Sequence, residues 1–193
     1  MNWPNGLTIA RMIMGPIVLV CLLTGSVRLA LYIFIVAMLT DLYDGYLARR
    51  WDRVTEFGKL MDPLADKVLV SMVLVGFLLI RVPFVSLWMV GVIIARELLI
   101  LGWRTGLFKI GGGFATSRTA KWKTAAQMIW ITTSLFYLTV IHGLGLSPGD
   151  PRTQTFERAL WGLGVVAVAL TVISGAEYVV CNRNSESDAR KTE

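Results

Sequence analysis

Histidine and cysteine are nearly absent from this chain of 193 residues, which holds one of the former and two of the latter. Cys21 and Cys181 fall near the ends of the first and last apolar blocks, on opposite sides of a membrane if each block spans one. A disulfide between them is therefore not expected, and both read as small buried hydrophobes. His142 follows the fifth block with no partner pattern and reads as a solvated loop residue rather than a ligand or base. Charge is scarce too: 17% of residues are charged against 55% hydrophobic, and only 13 are acidic. No Ser/Gly-rich linker and no repeat divides the chain, which leaves one domain over residues 1–181 and a polar tail, 182–193, expected to be mobile. Gly111-Gly112-Gly113 has neither a preceding strand nor a following Lys-Ser/Thr, so it reads as a turn and not as a phosphate loop. Nothing basic precedes the first apolar block and no small-residue cleavage site follows it, which argues against a secretory signal.

What the chain does have is apolar sequence in long blocks. They run over residues 7–23, broken only by Arg11, then 29–49, 63–80, 84–103, 124–141 and 156–180. Each is near the roughly 20 residues that a helix needs to cross hydrocarbon. The expectation is an all-α membrane protein with six transmembrane helices, an N-terminal interfacial segment marked by Trp3 and Pro4, and tryptophans forming interface belts. Six spans gather Arg49, Arg50, Arg53, Lys59, Arg104, Lys109, Arg118, Lys121, Lys123, Arg183, Arg190 and Lys191 on one side, against Arg28, Arg81, Arg152 and Arg158 on the other. The positive-inside rule then puts both termini in the cytoplasm. The net charge of +6 needs no nucleic acid, since the basic residues alternate with spans rather than with stacking aromatics.

Acid is concentrated where it is costly. The uninterrupted apolar run 29–39 is too short to span, so a crossing helix continues through Asp41 and Asp44. A carboxylate at membrane depth costs about 2.5–3.5 kcal/mol on insertion scales, and such residues usually face a cavity and carry function. Asp62 and Asp66 open the next block. On helices, Asp41 and Asp44 are three apart and Asp62 and Asp66 four apart, so each pair projects from one face. A second helix ending near Arg50 and a third starting near Asp62, with Pro63 in its first turn, would lie antiparallel and bring the four carboxylates together. Like charges that close stay ionised only if cations compensate them, and an all-oxygen donor set selects magnesium or manganese over zinc. Two such ions suit phosphoryl chemistry, and Gly45, Ala48 and Gly58 leave room for a nucleotide beside them.

The spacing Asp41-x2-Asp44-Gly45-x2-Ala48-Arg49-x8-Gly58-x3-Asp62-x3-Asp66 resembles the complete signature of the CDP-alcohol phosphotransferase family, at all eight positions. The resemblance implies transfer of a phosphatidyl group from CDP-diacylglycerol to an alcohol, with release of CMP, at a two-metal site on the cytoplasmic face of the bacterial inner membrane. It also implies a homodimer. Asp41, Asp44, Asp62 and Asp66 take the places of the metal ligands, with Asp66 also in that of the general base. Gly45, Ala48, Arg49 and Gly58, together with Asn5 and Thr8, take those that bind CDP-diacylglycerol.

Pro4-Asn5-x-Leu7-Thr8-x2-Arg11, Ala95-Arg96-Glu97 and Lys121-Trp122-Lys123-Thr124-Ala125-Ala126-Gln127 resemble the branch of the family formed by the bacterial phosphatidylglycerophosphate synthases, with Ala120 standing where glycine is expected. That branch implies glycerol 3-phosphate as acceptor, its phosphate met by Arg118, Lys121, Lys123 and Arg11. Plainer readings stay open beside these. Arg118, Lys121 and Lys123 also fit positive-inside anchors, Arg11 a snorkelling side chain, and the adjacent Arg96 and Glu97 structural pairs to other helices. Cardiolipin, phosphatidylserine and phosphatidylinositol-phosphate synthases keep the same signature. An ion or proton carrier is the alternative outside enzymes, although a relay needs acids spread along the path across the bilayer.

Overall fold

The computed structural model describes residues 3–51, 56–104 and 118–189, with side chains over 9–40, 64–65, 67–102 and 122–177. Every regular element among the described residues is an α-helix: α1 (Trp3–Leu23), α2 (Val27–Trp51), α3 (Glu56–Leu79), α4 (Leu87–Arg104), α5 (Arg118–Gly143) and α6 (Gln154–Ala189). Each apolar block of the sequence falls within one of these helices or overruns its end by a few residues. By length and composition, Trp122–Gly143 and Gln154–Glu177 suffice to cross a membrane, and Ile9–Leu23, Val27–Thr40 and Lys67–Leu79 are shorter apolar stretches. Ile9, Ile13, Ile17 and Val20 repeat at helical spacing along α1 and are all exposed, an outward apolar stripe that suits lipid rather than water.

Three helices end in the same way at one end of the bundle. Gly25, Arg81 and Gly145 have φ of 76°, 56° and 68°, and the next residue of each donates back to the last helical turn, Ser26 to Cys21, Val82 to Phe77 and Leu146 to Ile141. This left-handed cap satisfies carbonyls that the helix end would otherwise leave bare. The α5–α6 connection is fastened there too: Glu157 Oε1 accepts from Tyr137 Oη and from the Gly149 amide, both at 2.7 Å, and Tyr137 meets Phe84 edge to face.

Close backbone approaches fix the register of the helices. A Cβ on Gly15 would stand 3.3 Å from Leu69 Cα, and one on Gly76 would stand 2.6 Å from Leu22 Cδ1. Numbers rise together along both helices, so α1 and α3 are parallel. On the other side of the bundle Trp130 fills the space over Gly164, where a Cβ would meet its indole at 2.7 Å, and α5 and α6 run antiparallel. The main helix pairs are α1 with α2 and α3, α5 with α2 and α6, and α4 with α3 and α6. Helices α2 and α3 are thus joined chiefly through α1. The core between them is apolar and tightly closed, with Phe34, Phe77, Leu74 and Trp130 fully buried.

Several boundaries differ from expectation. Helix α3 begins at Glu56, so Pro63 lies eight residues into the helix rather than in its first turn. The preceding stretch, with Glu56, Lys59, Leu60 and Met61, is built of strong helix formers, which carries the helix back from the proline. Helix α6 continues through residues 182–189 of the range set aside as a tail. His142 is not in a loop but in the last turn of α5, exposed as expected, and Cys21 is free and buried.

Candidate functional site

Asp41 and Asp44 lie on α2, and Asp62 and Asp66 on α3. Their side chains fall outside the described set, as do those of Asn5, Thr8, Ala48, Arg49, Arg118 and Lys121, and the neighbourhoods of Gly45 and Gly58. The helices nevertheless set their levels. The register that pairs Gly15 with Leu69 and Leu22 with Gly76 puts Arg11 level with Ala65, beside Asp66, and Thr8 level with Asp62. Helices α1 and α2 form a hairpin closed by Gly25. Arg11 stands twelve residues before Leu23 and Asp41 fourteen after Val27. At 1.5 Å per residue those are about 18 and 21 Å from the turn. The segment from Asn5 to Arg11, the Asp41–Ala48 turns and the Asp62–Asp66 turn therefore occupy one level of the bundle.

Arg11 does not snorkel. It is 1% exposed, on the helix that packs against both aspartate-bearing helices. A guanidinium buried at this level needs acid nearby, and this is where the sequence concentrates it.

The fullest geometry belongs to a charged group one residue beyond Asp66. Lys67 Nζ, on α3, lies 2.6 Å from Glu97 Oε2 on α4, and Lys123 Nζ, on α5, donates to Glu97 Oε1. Arg96 Nη1 is 3.5 Å from the same Oε1, while its Nη2 donates to Ser174 Oγ on α6 at 2.9 Å. Gly175 makes room for that arginine, since a Cβ there would stand 3.4 Å from Arg96 Cγ. Gln127, one turn along α5 from Lys123, donates to Thr171 Oγ1 at 3.0 Å. Four helices are thus cross-linked by polar side chains at the level of Asp66. Glu97 is 4% exposed and Lys123 2%, so the pair is desolvated and each ion depends on the other.

This arrangement settles several of the readings. Lys123 is no surface anchor. Arg96 and Glu97 each bind other helices as adjacency requires, yet they also touch one another, because the long guanidinium arm bends back around the helix. Lys67 was not singled out in the sequence, although a lysine directly after Asp66 inside an apolar helix is a charge that asks for a partner. Arg118 is the first residue of α5 and Lys121 the fourth, so both precede Lys123 toward the same end of the bundle.

Among the described residues no group of three or more His, Cys, Asp or Glu side chains forms a metal site, and the four aspartate side chains lie outside that set. Chemically the aspartates fit hard divalent cations, since all four offer only carboxylate oxygens.

A family model described as CDP-alcohol phosphatidyltransferase matches residues 1–173 of the chain. The CDP-diacylglycerol–glycerol-3-phosphate 3-phosphatidyltransferase of Bacillus subtilis (strain 168) is 38% identical, across 92% of this chain and 93% of its own length. The protein of the same description from Rickettsia felis is 32% identical across 92% and 93%. That from Escherichia coli (strain K12) is 42% identical across 66% of this chain and 73% of its own.

Proposed function

The chain belongs to the CDP-alcohol phosphatidyltransferase family, and from that premise we propose that it transfers the phosphatidyl group of CDP-diacylglycerol to glycerol 3-phosphate, giving phosphatidylglycerophosphate and CMP. The observation that carries this reading is the shared level of Arg11, Asp41–Ala48, Asp62–Asp66 and Lys123 in one bundle. The acceptor rests on the relatives, which are described by that reaction.

In the proposed mechanism Asp41, Asp44, Asp62 and Asp66 hold two divalent cations, magnesium or manganese. When bound, those ions supply charge neutralisation for the diphosphate of CDP-diacylglycerol and for the departing CMP. Gly45, Ala48 and Gly58, small residues on α2 and α3, leave the nucleotide room against the helices, with Arg49, Asn5 and Thr8 completing the donor site. Asp66 takes the proton of the acceptor hydroxyl as its oxygen attacks the β-phosphorus. The new P–O bond forms while the bond to CMP breaks, and the proton stays on Asp66 until solvent removes it. Arg118, Lys121, Lys123 and Arg11 receive the phosphate of glycerol 3-phosphate, orienting the hydroxyl that reacts.

The protein we place in the bacterial inner membrane as six spans, both termini and the aspartate level facing the cytoplasm. The apolar helices and the outward stripe of α1 support lipid contact, and the basic residues that the sequence collects at the aspartate end support that orientation. A homodimer is part of the same proposal, along with a single catalytic domain over residues 1–181.

The test is direct. Purified protein in lipid, given CDP-diacylglycerol, glycerol 3-phosphate and magnesium, releases CMP. Release only with serine, inositol phosphate or phosphatidylglycerol as acceptor would overturn the acceptor assignment.

A further inference from the structure

The mechanism above uses Asp66 and Lys123 and gives no task to the carboxylate between them. Glu97 Oε2 reaches Lys67, the residue after Asp66, and Glu97 Oε1 reaches Lys123. One acid therefore joins the base-bearing turn of α3 to the acceptor end of α5 by way of α4. Packing alone does not call for this. A buried ion group is often no better for stability than apolar side chains of the same volume, because desolvation offsets the attraction. An ammonium offers three protons, of which Glu97 takes one from Lys123. What the shared carboxylate does accomplish is to fix where that ammonium stands relative to Asp66.

We propose that Glu97 is a positioning residue for the acceptor. Resting on the function proposed above, it holds Lys123 at a set distance from the Asp66 turn, so that binding the acceptor phosphate places the acceptor hydroxyl at the base. Lys67 is the strut on the α3 side, and the Arg96–Ser174 bond with Gly175 beneath it keeps α4 from rotating. A misplacement of about 1 Å at such a site costs on the order of a hundredfold in rate. The donor site, built from α1, α2 and the start of α3, does not depend on Glu97.

The experiment measures CMP release by wild type, Glu97→Gln, Glu97→Asp, Lys123→Met and the Glu97→Gln/Lys123→Met pair in lipid nanodiscs, titrating each substrate separately. Glu97→Gln is expected to lower kcat/KM for glycerol 3-phosphate by about a hundredfold, with KM for CDP-diacylglycerol held within about twofold. Glu97→Asp keeps the charge and is expected to recover part of the loss. In the double variant the second change is expected to add little, because both act through the same ammonium. Equal loss toward both substrates, or losses that multiply in the double variant, would overturn the positioning role and leave a structural one. If Glu97→Gln does not fold, Glu97→Asp reads the same split. Wild type that works only with another acceptor refutes the function proposed above, and the split measured with that acceptor then decides the role of Glu97. Wild type inert with every acceptor overturns both.

Discussion

Lys123 and Glu97 form an ion pair between α5 and α4, with 2% and 4% of their surfaces exposed. A lysine that the sequence places at the mouth of a span is in fact inside the bundle, and its partner is the acid of the adjacent helix. Lys123→Ala is expected to lower kcat/KM for glycerol 3-phosphate by about a hundredfold or more, mainly by raising KM, and to cost about 1–3 kcal/mol of stability, since Glu97 keeps Lys67 and Arg96. Kinetics over a range of acceptor concentrations and denaturation in detergent check the two parts separately. An unchanged KM would return Lys123 to a purely structural role.

Asp66→Asn is expected to abolish turnover with the fold intact. The amide keeps the shape of the carboxylate and cannot take the proton of the attacking hydroxyl. Circular dichroism and thermal unfolding should match wild type while CMP release disappears, and residual turnover near the wild-type rate would remove Asp66 from the base role.

The α5–α6 contact offers a test of packing with its own control. A Cβ on Gly164 would press within 2.7 Å of the Trp130 ring, whereas one on Gly162, half a turn earlier, would meet nothing within 4 Å. Gly164→Ala is expected to destabilise by about 1–3 kcal/mol through overpacking. Gly162→Ala is expected to be neutral or to stabilise by up to about 1 kcal/mol, as alanine restricts the unfolded chain. Equal effects at the two positions would refute the close approach.

Arg81 caps α3 with φ of 56°, where Gly25 and Gly145 do the same work at the ends of α1 and α5. A side chain in that region costs about 1 kcal/mol that glycine avoids. Arg81→Gly is expected to raise thermal stability by a matching amount with CMP release unchanged, and a lowered melting temperature would show that the arginine side chain contributes more than its backbone costs.

How much of this the sequence carried differs by kind of residue. Helices were legible because apolar runs of membrane length leave the backbone one way to satisfy itself, and the Asp41–Asp66 spacing was legible because four acids in apolar surroundings have few explanations. The start of α3 was misplaced because Pro63 reads as a helix opener, while Glu56 to Met61 form helix ahead of it. The Lys67–Glu97–Lys123 group was not legible, since it joins residues from three helices whose rotation is set by glycine contacts such as Gly15 with Leu69. Arg11 was ambiguous for a related reason: a lone arginine one turn or two into a span snorkels or is buried according to its neighbours, and α1 turned out to be the central helix of the pair it joins. The four aspartate side chains, on which the chemistry rests, lie outside the described residues.

Removal of divalent cations by a chelator is expected to stop CMP release, with magnesium or manganese restoring it and zinc failing to, because an all-carboxylate set favours hard ions. Restoration by zinc alone would contradict the assignment of the donor set.

Phosphatidyl transfer to glycerol 3-phosphate is decided by one assay: purified protein in lipid with CDP-diacylglycerol and magnesium, offered glycerol 3-phosphate, serine, inositol phosphate or phosphatidylglycerol in parallel. CMP release together with phosphatidylglycerophosphate in the glycerol 3-phosphate sample, and none in the others, is the predicted result. Release with a different acceptor and none with glycerol 3-phosphate would contradict it.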